Sequence, residues 1–477
     1  MSPEFNLVHI LPELLVLVLA CIVVVIDFLA KRRDTQLNLG YLAAIGLVAP
    51  FAALAGLAGR YEISYFGSFV IDPTAVFFKA LFLLAAAVTL LISVDYARER
   101  ALPPGEYYAM ILFATFGFMF LASSRELITT YISLEMASIS LYILVGILKG
   151  DQRSTEAALK YLLLGALSSA AFLYGIVLIY AATGTTVLPD IARRIGEGGP
   201  LAAVAIVLVL AGVGFKIGAV PFHLWVPDVY QGAPTPTTAF LSVASKAAGF
   251  VLLIRIFGQG LIPLEPLWAP LMATLAIITM TVGNVAALRQ SNVKRLLGYS
   301  SIAQAGYVLL ALASFQPETA SGLMYFLLAY VLTNLGAFAG IVAIASAVGT
   351  EEIDGMRGLA RRAPWLALFT TLSFLSLIGM PPMGGFVSKF YLFLTVYQQG
   401  LVLLVLIAVL NTAIAAYYYI RVIRAMYFLD AVDATAVVAA GAVRLALIVA
   451  TIATIAVGIL AAPFIQMTLV AGQELFR

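Results

Sequence analysis

Long apolar runs separated by short polar connections fill almost the whole chain. Runs close to the ~20 residues that a helix needs to cross a bilayer predict about fourteen transmembrane helices. Their limits are 7–30, 38–59, 74–95, 107–123, 127–148, 158–182, 200–220, 235–257, 267–288, 294–313, 320–348, 363–398, 400–428 and 441–470. The pattern predicts an all-α polytopic membrane protein in which residues 1–477 form a single membrane domain.

Two of the runs carry residues that interrupt a helix. Proline lacks an amide donor and clashes with the preceding turn, so it breaks or kinks a helix interior. The stretch after the seventh run carries Pro221, Pro227, Pro234 and Pro236, and the twelfth run has Pro381-Pro382 and Gly384-Gly385 at its centre. We expect a broken seventh helix and a twelfth helix made of two half-helices.

The positions of these breaks indicate an internal repeat. Helices 4–8 and helices 9–13 each hold one broken helix preceded by intact spans. Five helices per copy is an odd number, so the two copies would be inverted in the membrane. The predicted units are helices 1–3 at 1–106, repeat one at 107–257, repeat two at 267–428 and a C-terminal helix at 441–470.

The composition excludes an ordinary water-soluble protein. Hydrophobic residues make up 63% of the chain and charged residues only 11%, against about 25% charged residues in soluble domains. The single cysteine, Cys21, excludes disulfides and iron–sulfur ligation within the chain. His9 and His223 lie far apart in sequence, which argues against a transition-metal site. We expect no bound cofactor and no metal in this chain.

The distribution of basic residues predicts the orientation. Seventeen of the 27 lysines and arginines lie in connections that follow odd-numbered helices, and six lie in the others. Cytoplasmic connections are the ones enriched in these residues. Both termini are therefore predicted on the non-cytoplasmic side.

Ionisable residues inside the spans are the candidate functional residues. A lysine at bilayer depth costs roughly 2.5–3.5 kcal/mol on insertion scales, so it is usually retained for a purpose. Glu135 lies eight residues into the fifth predicted helix, and Lys216, Lys246 and Lys389 lie in the seventh, eighth and twelfth. A carboxylate that approaches or leaves Lys216 would change its affinity for a proton. These residues favour a pathway for a small cation, most simply a proton.

Structural roles remain open for the same residues. Glu135 and Lys216 also fit a static bridge between two helices, and a buried Glu135 carboxylate also fits a hydrogen bond from Ser133 or Ser138. His223 follows Pro221, where it would relay protons between the lysines or cap the broken helix. In the tenth helix, Ser300, Ser301 and Gln304 fit either a hydrated channel or hydrogen bonds between helices.

Two further charged residues look unremarkable in the sequence. Lys79 lies five residues from a predicted helix end, from which its long side chain reaches the interface. Glu13 is placed at the outer interface. Neither is assigned to the pathway.

Two longer motifs resemble a known family. Residues 216–246 read KIGAVPFHLWVPDVYQGAPTPTTAFLSVASK, and residues 293–307 read VKRLLGYSSIAQAGY. Both resemble signatures of the antiporter-like membrane subunits of respiratory complex I (NADH:quinone oxidoreductase), and the first looks most like the N-type (ND2-type) branch. The resemblance covers about residues 10–430.

The resemblance implies roles for the residues already selected. Glu135, Lys216, Lys246 and Lys389 match the residues to which the family assigns proton translocation. Electron transfer from NADH to quinone in partner subunits would drive it, with NAD, FMN, iron–sulfur clusters and quinone bound there and no redox centre here. The implied partners are an antiporter-like M-type subunit, the small K, J and A types and the lipids of an energy-transducing inner or cytoplasmic membrane. No nucleic acid is implied.

Two alternatives compete with this interpretation. The same family contains subunits of multi-subunit cation/proton antiporters, which work without flavin or iron–sulfur clusters. A second alternative is a structural subunit whose lysines are locked in static ion pairs.

Overall fold

The computed structural model describes residues 6–30, 38–196, 199–431 and 437–476. Within those ranges, twelve helices are long and apolar enough to cross a membrane, and Leu39–Ala55 and Pro364–Ile378 are shorter apolar helices. The chain is an all-α, multi-pass membrane protein, as the apolar runs predict. The count of fourteen and the inverted repeat stay predictions. Lys31, Arg32, Arg33 and Arg477, which contribute to the orientation argument, lie outside the described residues.

The helices follow the apolar runs closely. In chain order they are α1 Leu11–Leu29, α2 Leu39–Gly46, α3 Val48–Ala55, α4 Pro73–Glu99, α5 Pro104–Ser123, α6 Leu127–Val145, α7 Gln152–Thr183, α8 Leu188–Arg194, α9 Gly199–Ile217, α10 Trp225–Gly232, α11 Thr235–Phe240, α12 Lys246–Arg255, α13 Glu265–Ala287, α14 Val293–Leu309, α15 Pro317–Val348, α16 Leu359–Arg362, α17 Pro364–Ile378, α18 Gly384–Gln398, α19 Val402–Phe428, α20 Gly441–Ile459 and α21 Ala461–Glu474. A short hairpin pairs β1 Glu62–Ser64 with β2 Phe69–Ile71 in antiparallel register. It lies in the connection before α4.

Prolines mark several of the helix starts. Asp72 caps α4, where its carboxylate accepts a hydrogen bond from the amide of Ala75 at 2.6 Å, and Pro73 follows in the first turn. Proline is tolerated in the first turn because a backbone amide at that position has no acceptor within the helix, so its loss removes no hydrogen bond. The same preference starts α5 at Pro104, inside the predicted N-terminal unit 1–106.

Several predicted limits differ from the structure. The seventh predicted helix, 200–220, ends at Ile217, and the fourteenth, 441–470, is divided at Leu460 into α20 and α21. The eighth, 235–257, contains π-helical turns at Leu241–Ser245 and Ile256–Gly260. Hydropathy does not detect such irregularities, because the side chains stay apolar where the backbone changes.

The core of the bundle is formed by two helical stretches. Thr235–Gly260 is buried over its whole apolar window and Pro317–Val348 over 94% of it, whereas Gln152–Thr183 is buried over 33%. Apolar side chains that face outward are expected in lipid, where the backbone satisfies itself within each helix. Lys246 therefore lies at the centre of the protein and not on its surface.

Three charged residues are more deeply buried than the sequence predicts. Lys79 and Glu13 form an ion pair in which both side chains are almost fully buried, so neither side chain reaches the surface of the protein. Their depth near the membrane interface stays a prediction. Arg255, counted with the outer connections, is also buried and pairs with Asp72. Their partners are distant in sequence, so a scan along the chain does not find them.

Candidate functional site

Two helices end inside the bundle in the same way. α9 ends at Ile217 and α17 at Ile378, and each is followed by a glycine with positive φ, Gly218 at 71° and Gly379 at 95°. Glycine adopts this backbone conformation without the steric penalty of a side chain. Both segments read Ile-Gly-x-x-Pro. The last carbonyls of each helix are left without helical donors.

Lys246 caps the first of these helix ends. Its Nζ donates a hydrogen bond to the carbonyl oxygen of Ile217 at 2.5 Å, and its side chain is buried. The π-helical turn Leu241–Ser245 immediately precedes it on the chain. A helix C-terminus carries partial negative charge, so it stabilises a cation there.

Lys389 caps the second helix end. Its Nζ donates to the carbonyl oxygens of Leu377 at 2.8 Å and Ile378 at 3.2 Å. The same Nζ lies 5.1 Å from the ring centroid of Tyr307. Lys389 belongs to α18, the second half of its own broken helix, whereas Lys246 comes from the helix that follows the break. A lysine thus caps both helix ends, but the two lysines come from different positions relative to the break.

The two breaks differ in the charge that follows them. Ten residues after Gly218 the chain carries Asp228, and ten residues after Gly379 it carries Lys389. The carboxylate of Asp228 accepts hydrogen bonds from Lys160 at 2.8 Å and Arg295 at 2.6 Å. Burial opposes ionisation of Asp228, but these two cations hold its pKa below the usual value.

Lys216 and Glu135 lie close together but bind different partners. Lys216 Nζ donates to Ser138 Oγ at 2.6 Å, and the Ser169 hydroxyl donates to Glu135. Ser138 is three residues after Glu135, on the same face of α6. The charges interact electrostatically without forming an ion pair. The structure therefore shows Glu135 and Lys216 without a direct bond, each hydrogen-bonded to a different serine.

No carboxylate pairs with the three lysines in the part of the chain that the structure describes. The ion pairs found there, with nitrogen and oxygen within 4.0 Å, do not include Lys216, Lys246 or Lys389. Each of the three ammonium groups is instead held by uncharged oxygen atoms. The static-bridge alternative therefore does not describe these lysines.

The helix α14 connects the two capped ends with polar side chains. Gln304 Nε2 donates to the Leu377 carbonyl at 3.3 Å, beside Lys389, and the Ser301 hydroxyl donates to Tyr230 at 3.2 Å. A cavity of about 10 Å³ between Gln304, Tyr330 and Lys389 is near the size of a single water molecule. Gln304 and Ser301 therefore form hydrogen bonds between helices, and Gln304 also lines this small cavity.

His223 stands apart from the lysines. It lies in the turn between α9 and α10 and is half-buried. Its Nδ1 has no hydrogen-bond partner among the described residues, and no described contact joins its ring to Lys216 or Lys246. The structure thus brings together Glu135 and Lys216, and places Lys246 and Lys389 at helix ends, but leaves His223 outside this arrangement.

A polar cavity opens near the base of α14. It has a volume of about 250 Å³ and is lined by Lys294, Glu351, Asp151 and Tyr96, among others. Lys294 Nζ donates to the Ala233 carbonyl at 2.7 Å and lies 3.0 Å from Glu351. The sequence places Lys294 in a connection, yet its side chain is buried.

Comparisons with known proteins place this site in a family. A profile of the family described as "NADH:quinone oxidoreductase/Mrp antiporter, TM" matches residues 124–415. The chain belongs to this family.

Three similar proteins match the chain over nearly their whole length. The NADH-quinone oxidoreductase subunit N of Heliobacterium modesticaldum is 40% identical over 97% of this chain and 98% of the relative. A chain of respiratory complex I from Thermus thermophilus, solved with bound aureothin, is 34% identical with a TM-score of 0.81 over 95% of this chain and 98% of that one. A chain of the Mrp complex from Dietzia sp. is 20% identical with a TM-score of 0.87 over 99% and 98%. That last likeness shows the fold alone.

In this member of the NADH:quinone oxidoreductase/Mrp antiporter family, the arrangement suits proton transfer. A carbonyl or hydroxyl oxygen accepts a hydrogen bond from either the ammonium or the neutral amine of a lysine. Loss of a proton from Lys246 or Lys389 therefore leaves no unpaired carboxylate behind, which a salt bridge would do at a cost of several kcal/mol. The buried lysines can change charge without losing their places.

Sequence reasoning missed two members of the site in this family member. The sequence suggests Ser138 as a partner for Glu135, whereas Ser138 binds Lys216 and Ser169 on α7 binds Glu135. A serine three or four residues from a buried charge was the available signal for Ser138. Ser169 lies 34 residues away from Glu135, so only the packing of α6 on α7 identifies it.

Proposed function

We propose that this chain is a proton-translocating membrane subunit of an NADH:quinone oxidoreductase. It couples electron transfer from NADH to quinone in partner subunits to the movement of protons across the membrane. Glu135, Lys216, Lys246 and Lys389 carry the protons. Family membership and the likeness to subunit N proteins and to a respiratory complex I chain support this assignment.

One observation supports it above the others: three buried lysines are held by uncharged oxygens. A lysine retained only for stability would be expected to have a carboxylate partner, as Lys294 does. Lys216, Lys246 and Lys389 have Ser138 or helix-end carbonyls instead. Each such lysine costs roughly 2.5–3.5 kcal/mol on insertion, and a functional role accounts for its presence inside a span.

The sequence of transfers follows the polar groups. Protons enter from the inner side through the cavity at Lys294 and Glu351. They then reach Lys216 and Lys246 and leave by way of Lys389. Motion of the separated Glu135 and Lys216 towards each other stabilises the charged lysine, and motion apart favours release of its proton. His223 acts as a relay only after a rearrangement that brings its ring closer to Lys216 and Lys246.

The energy comes from outside this chain. Moving one charge against 100 mV costs roughly 2.3 kcal/mol, and no redox centre is assigned to this chain. NAD, FMN, iron–sulfur clusters and quinone belong to partner subunits. The membrane partners are an M-type antiporter-like subunit and the small K, J and A types. The location is the energy-transducing inner or cytoplasmic membrane, with both termini on the non-cytoplasmic side.

The deciding experiment is proton pumping measured together with electron transfer in membranes that carry Lys216→Ala. Assembly is checked on a native gel, and Lys149→Ala, an exposed lysine on a connection, is the matched control. We expect Lys216→Ala to assemble and to lose most of both activities, while the control keeps both. Wild-type pumping in an assembled Lys216→Ala complex contradicts the proposal.

Co-purification separates this function from the antiporter alternative. A complex that contains flavin and iron–sulfur clusters supports the oxidoreductase, and a complex without them supports a cation/proton antiporter. The Mrp likeness does not favour the antiporter, because it shows the fold alone.

A further inference from the structure

A buried ion pair joins two of the N-terminal helices. Nζ of Lys79 on α4 is 2.6 Å from Oε1 of Glu13 on α1, and the two side chains are 1% and 0% exposed. Both residues lie outside the stretch 124–415 that the family profile matches. The proposed function above uses neither of them.

A neighbouring ion pair on the same helix provides a direct comparison. Asp72, seven residues before Lys79, pairs with Arg255, whose guanidinium donates to both carboxylate oxygens at 2.6 and 2.8 Å. Arg255 also donates twice to the Ala122 carbonyl, and Asp72 accepts from the Ala75 amide. This pair is saturated with hydrogen bonds, and arginine does not release its proton in proteins. It is built for structure.

The Glu13–Lys79 pair lacks that support. Among the described residues, neither Glu13 oxygen accepts a hydrogen bond from a group other than the Lys79 ammonium. The other described contact of Lys79 is the ring of Phe69, whose centroid is 4.8 Å from Nζ. A buried ion pair repays its desolvation only when further hydrogen bonds satisfy it. Transfer of the proton from Lys79 to Glu13 removes both charges, so the neutral pair competes with the ionic one.

A second pair of titratable groups, near the start of α1, reaches the surface. His9 lies one helical turn before Glu13 and is buried, and its Nε2 is 2.5 Å from Oε2 of Glu62, whose side chain is 39% exposed. Histidine accepts and releases protons in the physiological range. Arg60 beside Glu62 and Tyr65 near Glu13 are the other titratable groups facing these residues.

We propose that Glu13 and Lys79 form a second proton-exchange site, connected through His9 and Glu62 to water on the side of the membrane where α1 begins. The Lys79 ammonium gives one proton to the Glu13 carboxylate, leaving a neutral amine and a neutral acid. The acid passes that proton to the His9 imidazole and on to Glu62 or water. The amine then accepts a replacement proton and restores the ion pair. In pumping, that proton comes from the lysines of the proposed function; in simple exchange, it returns from water through Glu62, His9 and Glu13. As a step in pumping this rests on the proposed function; as a proton-binding site it does not.

Infrared spectroscopy of the assembled complex at different pH values tests the binding site. A protonated Glu13 contributes a carboxylic-acid carbonyl band whose intensity changes with pH. We expect this band in the wild type and its loss in Glu13→Gln/Lys79→Met, a pair of similar size without charge. Asp72→Ala/Arg255→Met is the matched control and keeps the band. Identical pH-dependent spectra in all three proteins overturn the proposal.

Lys79→Arg separates proton exchange from a structural role. Arginine keeps the positive charge and the ion pair but cannot release a proton. We expect the complex to assemble, and protons pumped per electron to fall to less than half of the wild-type value. Wild-type pumping in Lys79→Arg overturns the transport role. Failure of both Lys79→Arg and the neutral double variant to assemble also overturns it, because the pair is then a structural lock.

Comparison with Lys216→Ala distinguishes the two proposals. Loss of pumping in Lys216→Ala with normal pumping in Lys79→Arg leaves the proposed function intact and rejects the second site in transport. Loss in Lys79→Arg alone rejects the role given to Lys216 and supports the N-terminal site.

Discussion

At the scale of single residues, the uncharged partners of the lysines decide what each can do. Lys246 and Lys389 sit on helix-end carbonyls, and Lys216 sits on a serine hydroxyl. Lys294 sits on a carboxylate, that of Glu351. Burial is similar in all four lysines, so the identity of the acceptor and not the depth distinguishes the three lysines with uncharged partners from the paired one.

Replacement of Lys389 by arginine tests this distinction. Arginine still donates to the carbonyls of Leu377 and Ile378, but it keeps its charge. We expect Lys389→Arg to assemble normally and to pump at least an order of magnitude less than the wild type. Proton pumping in membrane vesicles measures the effect.

A lysine that sits on a carboxylate provides the control for this variant. Lys160→Arg changes the same side chain at its ion pair with Asp228 and keeps the pair, so pumping is expected to stay at the wild-type level. Equal pumping by Lys389→Arg and Lys160→Arg would mean that Lys389 caps a helix and does nothing more.

At the scale of elements, the two helix breaks and the buried contacts between helices hold the lysines in place. The break after α9 requires a residue that adopts positive φ, and the Gly218 backbone lies close to Lys246. An added Cβ at Gly218 would be 2.9 Å from Val226 Cγ2 and 3.3 Å from Lys246 Nζ. The break and the cap therefore depend on the same glycine.

Gly218→Ala is expected to damage pumping more than stability. The left-handed conformation costs an alanine about 1–2 kcal/mol, and the new methyl group displaces the Lys246 ammonium from the Ile217 carbonyl. Gly59→Ala is the matched control, because Gly59 has φ of 76° and nothing within 4 Å of its added Cβ. We expect similar losses of thermal stability and a loss of pumping in Gly218→Ala alone. Melting of the purified complex and vesicle pumping provide the two readouts.

The Asp72–Arg255 pair joins α4 to α12 and is held by several hydrogen bonds. Arg255→Met leaves a buried carboxylate alone, which is expected to destabilise the protein by about 3–5 kcal/mol. Adding Asp72→Ala removes that carboxylate and restores much of the stability. Thermal melting of the assembled complex follows both variants. Additive losses in the double variant would show that the two side chains do not act as a pair.

At the scale of the whole molecule, the orientation predicts which connections face the cytoplasm. Arg60 and Gly150 are exposed on connections predicted to lie on opposite sides. We expect Arg60→Cys to react with a membrane-impermeant maleimide from outside intact cells, and Gly150→Cys to react only after the membrane is opened. Both are built on Cys21→Ser, which removes the native thiol. The reverse labelling pattern would show that the orientation is opposite to the predicted one. The proposed direction of proton movement would then be reversed as well.

The sequence predicts much of this architecture, because lipid imposes simple rules on it. Spans follow from apolar length, the broken helices from Pro221, Pro381 and Pro382, and the candidate lysines from their position inside spans. What it could not predict depends on contacts between distant segments. Nothing near Lys79 indicates Glu13, and nothing near Glu135 indicates Ser169, because only helix packing brings them together.

The equal ten-residue spacing from Gly218 to Asp228 and from Gly379 to Lys389 has a consequence for engineering the chain. A chain built from two copies of the first half would retain both breaks and much of the apolar pattern. It would nevertheless carry an aspartate ten residues after each break and would lack the Lys389 side chain that donates to Leu377 and Ile378. The two halves are therefore not interchangeable modules.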